Sequence, residues 1–298
     1  MTKIIECIPN FSEGVRTEII EGFVSVAKAV PGVTLLDYSG DASHNRSVFT
    51  LVGDPDGIKT AAFNLAKYAA EHIDLTKHKG EHPRMGAVDV IPFVPIKGAT
   101  MEDCIQISKE VGEKIAAELN IPVFLYEESA ASEKRKNLAA IRKGQFEGMA
   151  KKMSGSLWKP DYGNDAPHPT AGVVAVGARM PLVAFNVNLD TSDIKIADAI
   201  AKIVRGSSGG LKHCKGIGIM LEERNIAQVS MNIVNFEGAP LYRVVEMIRF
   251  EAARYGVNII GSELIGLAPM KALIDSAEYY LQLEDFDFDK QVLENHIL

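Results

Sequence analysis

The stretch PLVAFNVNLDTSDIKIADAIAKIV, residues 181–204, carries two hydrophobic patterns in succession. Leu182 to Asn188 is a short apolar run ending in Asn-x-Asn, as in a strand. From about Ile194 to Val204 apolar residues recur every three to four positions, as on one face of a helix. Asp190 to Asp193 is the polar link. Reading on, a strand is expected at Lys215 to Glu222, a loop at Arg224-Asn225 and a strand at Ala227 to Val234. A helix opened by Pro240 and a strand at Val257 to Ile260 follow. The order β-α-β-β-α-β is the split βαβ, or ferredoxin-like, unit.

The same order opens the chain. A strand over Lys3 to Ile8 and the turn Pro9 to Gly14 precede an amphipathic helix of about Thr17 to Ala29. Strands at Val33 to Tyr38 and Ser47 to Val52 flank a polar loop, and Pro55 suits the first turn of the next helix. Asn10 and Asn186 after the first strand, and Asn45 and Asn225 in the middle loop, are scattered echoes between the halves. The first half adds a strand at Ala87 to Pro95, a helix from Met101 to Leu119, a strand at Ile121 to Tyr126 and a charged helix near Glu133 to Lys143. The expected fold class is α+β, two ferredoxin-like α/β lobes over residues 1–179 and 180–298 with a ligand groove between them. At about 150 residues per domain, 298 residues suit two lobes.

Composition excludes several classes. With 47% hydrophobic and 24% charged residues the chain reads as globular rather than disordered or coiled-coil. A net charge of −7 argues against a protein that coats nucleic acid or an anionic membrane. Cys7, Cys104 and Cys214 are far apart with no C-x-x-C spacing, as expected of reduced thiols in a cytoplasmic protein. The N-terminus carries Glu6 in its apolar run and lacks a signal peptide's core. The most membrane-like stretch, Gly172 to Leu189, would bury Arg179, Pro181, Asn186 and Asn188 in hydrocarbon, so no span is expected.

The densest motif is HKGEHPRMGA, residues 78–87. Its H-x-x-E-H letters occur in a class of zinc peptidases, where both histidines sit one turn apart on a helix. Gly80 weakens a helix and Pro83 pushes His82 to extended geometry, so no metal is expected. Read without metal, His82 is a candidate general acid and base, with an unperturbed pKa of about 6.5; the plainer reading is a loop histidine at a strand entrance. Arg46, Arg84 and Arg179 are candidate carboxylate forks or surface ion pairs. Asp37 and Asp41 are candidates to orient an imidazole or hold an amidine, or serve as turn formers. No P-loop or dinucleotide fingerprint occurs. Gly206 to Lys212 reads as a mobile loop or an anion cradle. Pro160 to Gly172 is too turn-rich for helix or strand.

Four stretches together resemble the glutamate formimidoyltransferase (formiminotransferase) family: ECIPNFSEG at 6–14, GEHPRMGA at 80–87, NIAQVS at 225–230 and GSELIGL at 261–267. The resemblance runs over nearly the whole chain. It implies transfer of the formimidoyl group from N-formimidoyl-L-glutamate to N5 of tetrahydrofolate, with His82 catalytic and tetrahydrofolate a co-substrate. It places folate binding on Gly163, Asn164, Asp165, Ala166, Pro167, His168, Pro169, Thr170, Ala171 and Gly172, where the match is looser. Further expected substrate contacts are Asn10, Ser12, Asp41, Arg46 and Arg84. The resemblance also implies a homodimer and, since the chain ends at Leu298 without a cyclodeaminase domain, a separately encoded cyclodeaminase. The residues leave three alternatives open: an enzyme acting on 5-formyltetrahydrofolate, a non-catalytic folate-binding module, and a metallohydrolase.

Overall fold

A computed structural model describes residues 3–296 and divides the chain into two compact units, Met1–Arg179 and Met180–Leu298. In the first, β1 (Ile4–Cys7) and β2 (Asn10–Phe11) are followed by α1 (Thr17–Lys28), β3 (Val33–Asp41), β4 (Arg46–Gly53), α2 (Pro55–His72) and β5 (Val88–Lys97). β1 and β2 lie between β4 and β5, and β3 pairs β4, all antiparallel. This is the strand order of the ferredoxin-like unit. The sheet then grows by two strands: α3 (Met101–Leu119) leads to β6 (Val123–Glu127), and after α4 (Glu133–Lys136), α5 (Leu138–Arg142) and α6 (Gln145–Met153) the chain returns as β7 (Val174–Ala178). β7 runs parallel between β5 and β6.

The helix boundaries have chemical causes. Asp54 accepts from the backbone N–H groups of Asp56 and Gly57 and starts α2 with Pro55 in its first turn, while Thr100 and Asp103 close a capping box on α3. One core joins α1, α2 and α3 to the sheet. Phe11 and Phe23 stack at 4.0 Å between centroids, with Phe49 and Phe93 also buried in that core; each large side chain so placed is worth about 1.5–3 kcal/mol in apolar burial. A second cluster, with Met85, Phe124, Tyr126, Ile141, Met149 and Met153, includes α5 and α6.

The second unit is β8 (Val183–Leu189), α7 (Ile194–Val204), β9 (Cys214–Leu221), β10 (Ile226–Ile233), α8 (Leu241–Ala253), β11 (Ile259–Ile265), α9 (Met270–Leu281) and the short α10 (Phe288–Gln291). Its sheet order is β11-β8-β10-β9, antiparallel throughout. Val183, Phe185 and Val187 join Val229, Met231 and the α7 and α8 side chains in one core. Val183, Phe185 and Val187 thus share the strand's inward face, with Ala184 and Asn186 between them on the other.

Several expected elements are corrected. Glu133 to Lys143 is two short helices, because the Asn137 side chain accepts from Ala139 N–H at 2.9 Å and caps a fresh start. The last strand of the second unit runs over Ile259–Ile265, later than Val257 to Ile260. β7 lies in a stretch read only as apolar: all five of its residues are buried, so it shows no alternation. β3 continues to Asp41, three residues past its expected end, and α9 was not foreseen. Gly206 to Lys212 is a tight return rather than an anion cradle. Its Ser208, Gly209, Gly210 and Leu211 N–H groups already donate to the carbonyls of Arg205, Gly206, Arg205 and Val204. Among the described residues no helix is long and apolar enough to cross a membrane.

Candidate active site

The loop of residues 78–87 is not helical. It enters β5, and both nitrogens of His78 are engaged within the fold: Nδ1 accepts from Arg84 Nε at 3.2 Å, and Nε2 lies 2.9 Å from the carbonyl of Asn45. Asn45 secures the loop from the other side, accepting from Gly14 N–H and donating to the Lys79 carbonyl. At the loop's far end Ser12 donates from Oγ to the Gly86 carbonyl at 2.7 Å, and its N–H donates to Ala87. Buried Ser12 is thus a strut between β2 and the loop rather than a free hydroxyl.

His82 is half-buried, and its Nε2 lies 2.7 Å from Nη1 of Arg46, the first residue of β4. Guanidinium nitrogens only donate, so Nε2 is the acceptor and the neutral imidazole carries its proton on Nδ1. Nη2 of Arg46 donates to Oδ1 of Asn10, and Asn10 Nδ2 holds the Ile8 carbonyl at 2.8 Å. Asn10, Arg46 and His82 thus form one hydrogen-bonded line across β2, β4 and the loop. Burial first, and then the electrostatic effect of Arg46, Arg142, His44 and His78 in that order, push the His82 pKa down to about 3.

Two other expected residues stand apart. Asp41, exposed at the end of β3, accepts from the His44 backbone N–H and lies 2.8 Å from His44 Nδ1, so it orients His44. Arg84 turns its fork to Glu147 on α6, donating to both carboxylate oxygens at 2.9 and 2.6 Å, and also to Gln145. That pairing holds the Glu147 carboxyl below its usual range.

Residues 163–172 lie in the same unit. The exposed stretch from Gly163 to Ala166 leads to a tight turn in which the N–H of His168 and the carbonyl of Gly172, and the reverse pair, bond at 2.9 and 3.0 Å. His168 Nδ1 accepts from Ala171 N–H at 3.0 Å, placing its neutral proton on Nε2, and burial lowers its pKa. Asp165 pairs with Lys159. The turn docks on the His82 loop: Ala87 N–H donates to the Ala171 carbonyl, Val173 N–H to that of Met85, and Gly172 bridges Gly86. Gly172 has φ +70°, and a Cβ there would lie 2.2 Å from the Met85 carbonyl oxygen. Gly172→Ala is therefore expected to destabilise the protein by at least about 1–2 kcal/mol, the left-handed penalty alone. Urea unfolding of the two proteins measures it; equal midpoints would refute the close approach.

Sequence reasoning missed Asp89 and Arg142. Asp89 is buried on β5, accepts Met85 N–H at 2.8 Å and receives Arg142 Nη2 at 2.5 Å. A lone carboxylate in the apolar run of residues 87–94 was the available signal, since a buried charge needs a partner. Arg142 follows Leu138 by four residues and so shares its core-facing side of α5.

The chain matches two family models in sequence: the N-terminal subdomain of the formiminotransferase domain over residues 4–179, and the formiminotransferase domain over residues 184–296. It is 69% identical to the glutamate formimidoyltransferase of Streptococcus pyogenes serotype M1 over the full length of both chains. It is 45% identical to that of Thermoplasma acidophilum, covering 95% of this chain and 94% of the relative. It is also 45% identical to the formimidoyltransferase-cyclodeaminase of Gallus gallus, covering 95% of this chain and 53% of that protein. With both of its units matched in order, and with relatives this similar along their whole length, the chain belongs to the formiminotransferase family.

Proposed function

We propose that this protein is a glutamate formimidoyltransferase, moving the formimidoyl group from N-formimidoyl-L-glutamate to N5 of tetrahydrofolate and releasing L-glutamate, a step of histidine breakdown. The observation that carries this reading is the end-to-end 69% identity with the streptococcal relative named for that activity. The geometry around His82 fits the chemistry.

N5 attacks the amidine carbon, and a carbon–nitrogen bond forms to give a tetrahedral adduct. Collapse breaks the bond between that carbon and the glutamate nitrogen. The proton leaves N5 and ends on the departing amine, so one imidazole that accepts and then donates serves both halves. Nε2 of His82 is unprotonated, the form needed to accept first. The guanidinium of Arg46 beside it suits a substrate bearing carboxylates, while Arg142 is held by Asp89. Asn10 holds Arg46 in place, and the 163–172 turn, joined to the His82 loop at Gly86, is assigned to tetrahydrofolate.

Incubating the protein with tetrahydrofolate and N-formimidoyl-L-glutamate, while following glutamate release and the new folate species, tests the proposal. Glutamate and 5-formimidoyltetrahydrofolate are expected in equal amounts. Release only from a formyl donor, or folate binding with no release from either donor, would overturn it.

A further inference from the structure

The contact that defines His82 also obstructs it. The Nε2 lone pair is the atom a general base uses, and Arg46 Nη1 sits on it at 2.7 Å. Arg46 is incompletely satisfied where it stands: its Nε is buried with no hydrogen-bond partner among the described residues. The groups that act electrostatically on His82 are Arg46 on β4, Arg142 on α5, His44 in the β3–β4 turn and His78 on its own loop, and each disfavours imidazolium. The Asp89 carboxylate on β5 partly offsets the field at Arg46. An imidazole held near 3 is a weak base for work near neutrality, where the best catalytic pKa lies close to the ambient pH. A carboxylate supplies what is missing. It offers a guanidinium two acceptors in a matching plane, a stronger partner than a single neutral ring nitrogen, and it cancels the charge that disfavours imidazolium.

We infer that Arg46 is a positioning residue for His82, capping Nε2 in the ligand-free protein and being drawn off it by the carboxylate of the glutamyl substrate, so that the base is uncovered only in the complex. The uncovering half rests on the glutamyl substrate proposed above; the capping half does not. Binding and activation are then one event, and a protein without its carboxylate ligand holds a masked base.

The test is an NMR pH titration of the labelled His82 imidazole, identified by its loss in His82→Asn, with and without saturating L-glutamate. In the ligand-free protein His82 is expected to stay neutral at about pH 5, more than one unit below the ordinary histidine value. L-Glutamate is expected to raise its pKa by about one unit or more. In Arg46→Met the ligand-free titration should move up toward the ordinary value and lose its response to glutamate, while Arg46→Lys, which keeps the charge, should restore part of the depression. Ordinary titration in the ligand-free wild type, or the same titration in wild type and Arg46→Met, would overturn the capping. A wild-type titration that ignores glutamate would overturn the uncovering. Both wild-type titrations stand even if a variant fails to fold. Failure of formimidoyl transfer would appear instead as absent turnover, with the ligand-free titration unaffected.

Discussion

His82→Ala is expected to lower kcat on the order of 10²- to 10⁴-fold, the usual contribution of a positioned acid or base. Tetrahydrofolate affinity should change little, since the 163–172 turn makes its own backbone bonds to Met85, Gly86 and Ala87. The fold should persist, because His82 is half-buried on a loop pinned by Asn45 and Ser12 rather than by the imidazole. The informative comparison is kcat against KM. Loss of a group acting in the transition state lowers kcat and kcat/KM together, whereas loss of uniform binding raises KM alone. Unchanged turnover in His82→Ala would remove the acid–base role and leave the residue as a loop histidine at a strand entrance.

The second large effect concerns stability. Asp89→Ala strips the partner from Arg142 and the acceptor from Met85 N–H at one buried point. Removing one member of a buried ion pair typically costs about 3–5 kcal/mol, because the other charge is left uncompensated. The Arg142→Leu partner change should therefore rescue most of the loss. A urea series on Asp89→Ala, Arg142→Leu and the double variant measures the coupling. Strict additivity would show that Arg142 finds another partner or solvent. Since Arg142 also acts electrostatically on His82, the single Asp89 variant should show reduced activity even where it is folded.

Much of the fold was legible because local signals agreed with the final packing. Residues 181–204 contain an apolar run ending in Asn-x-Asn and then a helical period, and the strand and helix appear nearly where they are expected. The strand at 174–178 was not legible for the opposite reason. Buried between two parallel neighbours, it has no solvent side to impose alternation. The candidate site divides in the same way. His82, Asn10 and Arg46 were named from residue type and resemblance, and the structure joins them. Arg84 looked like the same kind of fork as Arg46, but its direction is fixed by Glu147, 63 positions away. No local pattern carries that information. Asp89 and Arg142 escaped for a related reason: each is anomalous alone and explained only by the other, across 53 positions.

The meeting of Ser12, Gly86 and Gly172 at one point sets an order of events during synthesis. Residues 78–87 leave the ribosome after the Ser12 strut, but roughly 80–90 residues before the turn that closes against Gly86 and Ala87. At roughly 5–20 residues per second that interval lasts on the order of 4–18 s. Through it the apolar edge of β5 awaits β7, its parallel neighbour. The nascent chain thus passes through a stage that has its histidine but not its site, with an unpaired strand edge open to other chains.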